Sequence, residues 1–145
     1  MSLLVFLSMA DVHDKQTRSY NMSRIRGKDT KPEILVRKFL FSKGFRFRLH
    51  DKNLPGKPDI VLRKYKTIIL VHGCFWHGHK GCRYFVIPKT RTLWWTTKIK
   101  NNRKSDAKNF KLLTQDNWKV ITIFECELKP NQRVRALSRL VKKLK

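Results

Sequence analysis

Acidic residues are scarce: 10 Asp and Glu stand against 34 Lys and Arg in 145 residues, a formal charge of +24. Such an imbalance repels itself unless a polyanion offsets it. Nucleic acid is therefore the leading partner, ahead of a membrane surface, a ribosome-type binding role or a plainly soluble basic domain. Cysteine is rare as well, and three is an odd number. That argues against a closed disulfide framework and fits a reducing compartment in which thiols bind metal or sit buried. Long apolar runs are missing. The opening Met1-Ser-Leu-Leu-Val-Phe-Leu-Ser8 is far too short to span a bilayer. No basic residue precedes its apolar part and no small-residue cleavage pattern follows, which argues against a signal peptide. A soluble, cytoplasmic bacterial protein is expected, with Met9 as a candidate start and residues 1–8 as an extension of little consequence. Internal repeats and low-complexity linkers are absent, and the length suits one domain.

Charge and hydroxyls dominate residues 9–29, where Lys15, Arg18, Arg24, Arg26 and Lys28 make a basic arm suited to tracking a phosphate backbone. Residues 1–29 thus read as extension plus arm, and residues 30–145 as the domain. Thr30-Lys-Pro-Glu33 resembles a capping box, and the apolar spacing after it predicts a helix ending near Gly44. Alternation from Phe45 to His50 predicts a strand with Phe45, Phe47 and Leu49 on its buried face. Asp59–Leu62 and Thr67–Val71 form two β-branched runs that predict a hairpin. With its turn centred between Tyr65 and Lys66, Asp59 falls opposite His72. A proline-free helix is expected over Thr92–Gln115, a strand over Trp118–Phe124, and a last helix opened by Pro130 with Val134, Leu137, Val141 and Leu144 on one stripe.

Between residues 72 and 82 the chain reads His72-Gly-Cys-Phe-Trp-His-Gly-His-Lys-Gly-Cys82. Zinc takes four nitrogen or sulfur ligands in a tetrahedron, and close ligand pairs on a glycine-containing loop supply part of one. Cys74, His79 and Cys82 have suitable spacing. Cys126, the one cysteine left, supplies the fourth ligand and would pin the end of the last strand to the loop. On spacing alone His77 competes with His79. A site closed by four protein ligands is structural and leaves chemistry to other residues. The alternative is that Cys74 and Cys126 are small buried hydrophobes.

Phosphodiester hydrolysis asks for a carboxylate that holds a divalent ion and a group that positions water. Asp59 enters a strand directly after Pro58, and the expected pairing brings His72 and then His77 to the same end. Asn102 and Asp106 stand four apart on one helix face, where they can reach the same cleft or simply face solvent. Glu33 has an equal reading as the capping-box partner of Thr30.

The segments Pro55-Gly-Lys-Pro-Asp-Ile-Val61, Val71-His-Gly-Cys-Phe-Trp-His-Gly-His79 and Trp118 with Phe124-Glu-Cys-Glu-Leu128 resemble the very-short-patch-repair DNA mismatch endonucleases. So do Asp11-Val-His-Asp-Lys15, Arg18-Ser and Asn21-Met22, so that the likeness runs from about Met9 to Leu128. It implies an α/β fold with a restriction-endonuclease-like, PD-(D/E)xK-type core: a central mixed sheet flanked by helices, with a structural zinc site. The implied activity is a Mg²⁺-dependent nick in one strand of double-stranded DNA beside a T:G mismatch. By resemblance, Asp59 binds Mg²⁺, His77 acts on the attacking water, and His72 is a second active-site histidine. Glu33, Asn102 and Asp106 fall near the metal-bound water network. The usual Glu-x-Lys is missing from the strand after Asp59, so the backbone carbonyl of Val71 is the expected second Mg²⁺ contact. Cys74, His79, Cys82 and Cys126 carry over as Zn²⁺ ligands, which frees His77. Phe75, Trp76 and Trp95 match aromatics that enter the DNA stack, where a mispaired step is the cheapest to open. A monomer is expected, with mismatch-repair proteins as further candidate partners. Two other readings stay open: a non-catalytic zinc-stabilised DNA-binding module, and a restriction-type nuclease with another target.

Overall fold

The computed structural model describes residues 28–145. The extension, most of the basic arm and the motif residues between Asp11 and Met22 lie outside the described residues. Helix α1 spans Lys31–Ser42, followed by strands β1 (Arg48–Leu49), β2 (Ile60–Leu62) and β3 (Thr67–His72). Helix α2 then spans Thr92–Gln115, strand β4 Lys119–Phe124, and helix α3 Arg133–Leu144. The order of elements is the expected one, and α2 has the limits that its spacing predicts.

Thr30 caps α1, its hydroxyl accepting from the Glu33 N–H at 3.4 Å. The returning half of the box lands one residue early, because Glu33 Oε2 accepts from the Asp29 N–H at 3.1 Å. The four strands lie in the order β1-β2-β3-β4. The first two pairings are antiparallel and β3 runs parallel to β4, so the sheet is mixed.

Successive strand residues face opposite sides, and the burial follows that alternation. Ile60, Leu62, Ile69, Val71, Ile121 and Ile123 meet α1 and α3 through Val36, Leu40, Leu137, Leu140 and Leu144. Val61 and Ile68 face the other way, toward Leu113 of α2 and Trp118. Helices therefore cover both faces, which is why β2 is buried at every position.

Three local expectations are corrected. The hairpin register is slipped by two residues: Ile60 pairs with Ile69 and Leu62 with Thr67. The cause is the turn, in which Arg63–Tyr65 form a 3₁₀ turn and Lys66 takes φ 49°, moving the centre of the hairpin toward Lys64. Continued one step, this register sets Asp59 beside Leu70 instead of His72. The strand expected over Phe45 to His50 shrinks to two residues; Phe45 is buried and Phe47 packs on the core, but Leu49 is exposed. In α3 Leu137 and Leu144 are buried and Val141 packs on the core as expected, joined by Ala136 and Leu140, while Val134 is 77% exposed.

Candidate metal centre and nuclease site

Both clusters grow from the end of the β2–β3 hairpin. Asp59 Oδ2 accepts from the Val71 N–H at 2.8 Å. A strand residue turns its N–H and C=O to the same neighbour, so the Val71 carbonyl opens on the side of the Asp59 carboxylate. Burial raises the pKa of Asp59, opposed by the Val71 N–H and by His50, His77 and Arg37. A partly buried carboxylate beside a carbonyl oxygen fits a small divalent cation, which takes oxygen ligands and offsets the cost of burying the ionised form.

One residue further, β3 ends at His72, whose ring stacks on that of His77 with centroids 3.7 Å apart and planes 3° from parallel. His77 Nδ1 lies 2.7 Å from Asp106 Oδ2, so the carboxylate fixes the ring and leaves Nε2 outside that bond. Burial, helped by His77, lowers the pKa of His72 to about 4, which keeps that imidazole neutral at physiological pH. His72, His77 and Asp106 form one potential metal-binding group.

Cys74, His79, Cys82 and Cys126 form another, with ligand atoms all within 4.8 Å of one another. His79 Nδ1 faces Cys126 Sγ at 3.5 Å, and the three thiols are free of disulfides. Zn–S bonds of about 2.3 Å set tetrahedral ligands roughly 3.8 Å apart, so the cluster has the size and donor chemistry of a closed Zn²⁺ site. Burial pushes the Cys74 and Cys126 thiols up, and a cation is what would make thiolates stable there. The two nearby histidines turn different ways: His77 to Asp106 and His79 to the cysteines.

Helix α2 brings the loop and the sheet together. It buries just two residues, Ile99 and Leu113, so an apolar stripe alone does not dock it. Between them lies a row of polar contacts at helical spacing. Asn102 Nδ2 donates to the Trp76 carbonyl at 2.9 Å, Arg103 donates to the Gly78 carbonyl, and Asp106 meets His77. Asn109 lies close against Gly56, where a β-carbon would fall 2.9 Å from Asn109 Cγ. The helix thereby holds both the loop before Asp59 and the loop carrying His77. Arg103 was not singled out from the sequence. Its position, four residues after Ile99 and one after Asn102, was the available signal.

Glu33 lies on the opposite flank. Arg37 bridges it at 3.0 Å to Asp29 at 2.7 Å, and the same guanidinium nitrogen is 3.0 Å from His50 Nε2. Burial and then the charge of Asp59 raise the pKa of Glu33, which places the two carboxylates in one electrostatic environment.

The aromatic residues divide by exposure. Phe75 is 0% exposed, ringed edge-on by Trp76, Phe85 and Trp95. Trp76 and Trp95 are half-buried and tilt against each other at 5.7 Å. Trp94 is 45% exposed, with the Arg91 guanidinium 4.7 Å above it, and Leu93 beside it is 81% exposed. As folded, Phe75 supports the cluster, and the open apolar surface belongs to Leu93 and Trp94.

A strongly basic mixed α/β domain with a partly buried carboxylate, a carboxylate-oriented imidazole and a Cys₃His cluster has the net charge and the metal-binding groups suited to a protein that acts on DNA. The sequence matches the profile of the family described as DNA mismatch endonuclease Vsr over residues 10–83. The chain belongs to that family. It is 42% identical over 126 residues to the DNA mismatch endonuclease Vsr of Escherichia coli, a match covering 87% of this chain and 80% of that protein. It is 50% identical over 138 residues to the type II nicking enzyme V.NmeAIP of Neisseria meningitidis, covering 94% and 98% respectively. A match to the type II nicking enzyme V.XorIIP of Xanthomonas oryzae is 46% identical over 120 residues, covering 83% and 88%. No helix among the described residues is long and apolar enough to cross a membrane.

Proposed function

We propose that this chain nicks one strand of double-stranded DNA beside a T:G mismatch, by Mg²⁺-dependent hydrolysis at the open end of the β2–β3 hairpin. The observation that carries the reading is the bond from the Val71 N–H to Asp59 Oδ2, with the His72–His77–Asp106 group one residue further along the same strand. The Asp59 carboxylate and the Val71 carbonyl would hold Mg²⁺. Bound there, the ion supplies charge to offset the scissile phosphate and lowers the pKa of water. His77, held through Nδ1 by Asp106, offers Nε2 to take a proton from the attacking water. His72 stacks against that ring and, being neutral, adds no competing positive charge. Glu33 orders water on the Asp59 flank, and Asn102 holds the main chain before His77. Cys74, His79, Cys82 and Cys126 would hold Zn²⁺, which braces the loop and takes no part in the chemistry.

Restriction of the cut to one strand is supported by the relatives named as nicking enzymes, and the mismatch target by the relative named as a mismatch endonuclease. Opening a base step costs least at a mispair, and Trp76, Trp95 and the exposed Trp94 give apolar surface to fill it, with Phe75 behind them. The fold is the restriction-endonuclease-like core, acting as a monomer in the cytoplasm. Residues 30–145 form its single domain, residues 1–29 an arm on the duplex, and mismatch-repair proteins are candidate partners.

Strand-resolved cleavage of T:G, other mismatched and fully paired duplexes, with and without Mg²⁺, tests the reading. The expected result is one nick in the T:G duplex with Mg²⁺ only, abolished in Asp59→Ala while binding persists. Equal cutting of paired duplex would move the assignment to a restriction-type nuclease. Binding without any cutting would move it to a DNA-binding module.

A further inference from the structure

Gly78 stands between the two clusters. The imidazole before it, His77, turns to Asp106; the imidazole after it, His79, turns to Cys126. The chain makes this divergence at φ 58°, the left-handed region that glycine adopts without strain. The orientation of the Gly78 peptide therefore sets the angle between a catalytic ring and a zinc ligand.

We propose that Arg103 is the positioning residue that fixes this peptide, and through it the placement of His77. This rests on the nicking reading given above. Arg103 Nε donates to the Gly78 carbonyl at 3.0 Å, and its terminal NH2 donates to the same oxygen. The guanidinium lies 5.1 Å from the Phe85 ring, and Phe85 packs in turn on the buried Phe75, so aromatic packing sets the plane of the fork. Asn102, the preceding residue of α2, holds the Trp76 carbonyl at 2.9 Å. The carbonyls on either side of His77 are thus tied to two consecutive residues of α2, and its ring is tied to Asp106 one turn further. Among the described residues Arg103 hydrogen-bonds to the Gly78 carbonyl and not to the Asp59 carboxylate or the His77 ring, so its effect on the reaction passes through the loop.

A planar fork satisfies one carbonyl from two nitrogens at a set angle, and a lysine ammonium on a flexible stem does not. Misplacing a reacting group by about 1 Å costs on the order of 100-fold in rate. Zinc-loaded full-length Arg103→Met should therefore lose about 10- to 100-fold in single-turnover nicking at saturating DNA. Its Kd for the same duplex should stay within about threefold, and its zinc content should be unchanged. Arg103→Lys, keeping one donor, should fall between.

The substrate is whichever duplex the wild type nicks, so a failure of T:G selectivity does not touch this test. A readout independent of cutting is the imidazole NMR spectrum of the zinc-loaded protein. There the His77 ring signals should move in Arg103→Met while those of His79 stay in place. That measurement decides the question even if no duplex is cut. The proposal is overturned by an unchanged nicking rate, or by weakened Kd at intact rate, which marks a phosphate contact. It is overturned equally by loss of zinc in both variants, which marks a role in folding alone, or by unmoved His77 signals.

Discussion

Gly78→Ala puts the geometry of the loop to a quantitative test. An L-residue in the left-handed region costs about 1–2 kcal/mol, and Gly78 sits there at φ 58°. Space adds a second cost. A β-carbon at Gly78 would fall 2.7 Å from Cγ2 of the buried Ile99 and would also meet the Arg103 guanidinium, so α2 must shift or the loop must lift. Overpacking of that kind costs about 1–3 kcal/mol, for a total of roughly 2–5 kcal/mol. Gly44 supplies the comparison, since it has φ 86° and nothing within 4 Å of an added β-carbon. Gly44→Ala should lose only the conformational part, about 1–2 kcal/mol. Urea denaturation of the zinc-loaded wild type and both variants, at one fixed zinc concentration, gives each difference from the midpoint and slope. Gly78→Ala should exceed Gly44→Ala by about 1–3 kcal/mol, and its nicking rate should fall with the displacement of His77. Equal losses in the two variants would refute the claim that α2 packs tightly onto this peptide.

Removing zinc by chelation should lower the unfolding midpoint and loosen the loop after β3 together with the end of β4, because one cluster joins them; Cys126→Ala should reproduce the effect, and unchanged thermal melts would count against the site. Affinity for duplex DNA should fall steeply and linearly on a log–log plot against salt, as expected for many cations displacing counterions, and a flat plot would contradict DNA as the partner. Trp94→Ala should weaken binding to mismatched duplex by about 1–3 kcal/mol, in the range of a base stacked on an aromatic ring, with the salt slope unchanged in titrations at several ionic strengths. Phe75→Ala should act instead on the fold, costing about 3–5 kcal/mol by denaturation, since its ring is enclosed.

Much of the site was legible before any coordinates because its signals are local. Cysteines and histidines packed between residues 72 and 82 announce a metal loop by ligand spacing, and a long proline-free run announces α2. Two residues hid behind equally good local readings. Asp106 looked like an ordinary solvated helix position and Glu33 like a cap, and in the structure Glu33 does receive the Asp29 N–H while also sharing the electrostatics of Asp59. Arg103 is one of 34 basic residues, and its helical spacing from Ile99 and Asn102 is the one sign that sets it apart. What it bonds is a carbonyl, an acceptor that every residue carries and no sequence pattern marks.

The amino-acid sequence by itself determined which chemistry is present and the period of each element, since ligand type, charge and hydrophobic alternation are properties of neighbouring residues. Tertiary structure alone decided the hairpin register, the enclosure of Phe75, the separate orientations of His77 and His79, and the docking of α2 through polar groups. Each of these depends on a turn angle or on a contact between segments far apart in the chain. A two-residue shift there leaves the local pattern intact while moving Asp59 from His72 to the Val71 amide.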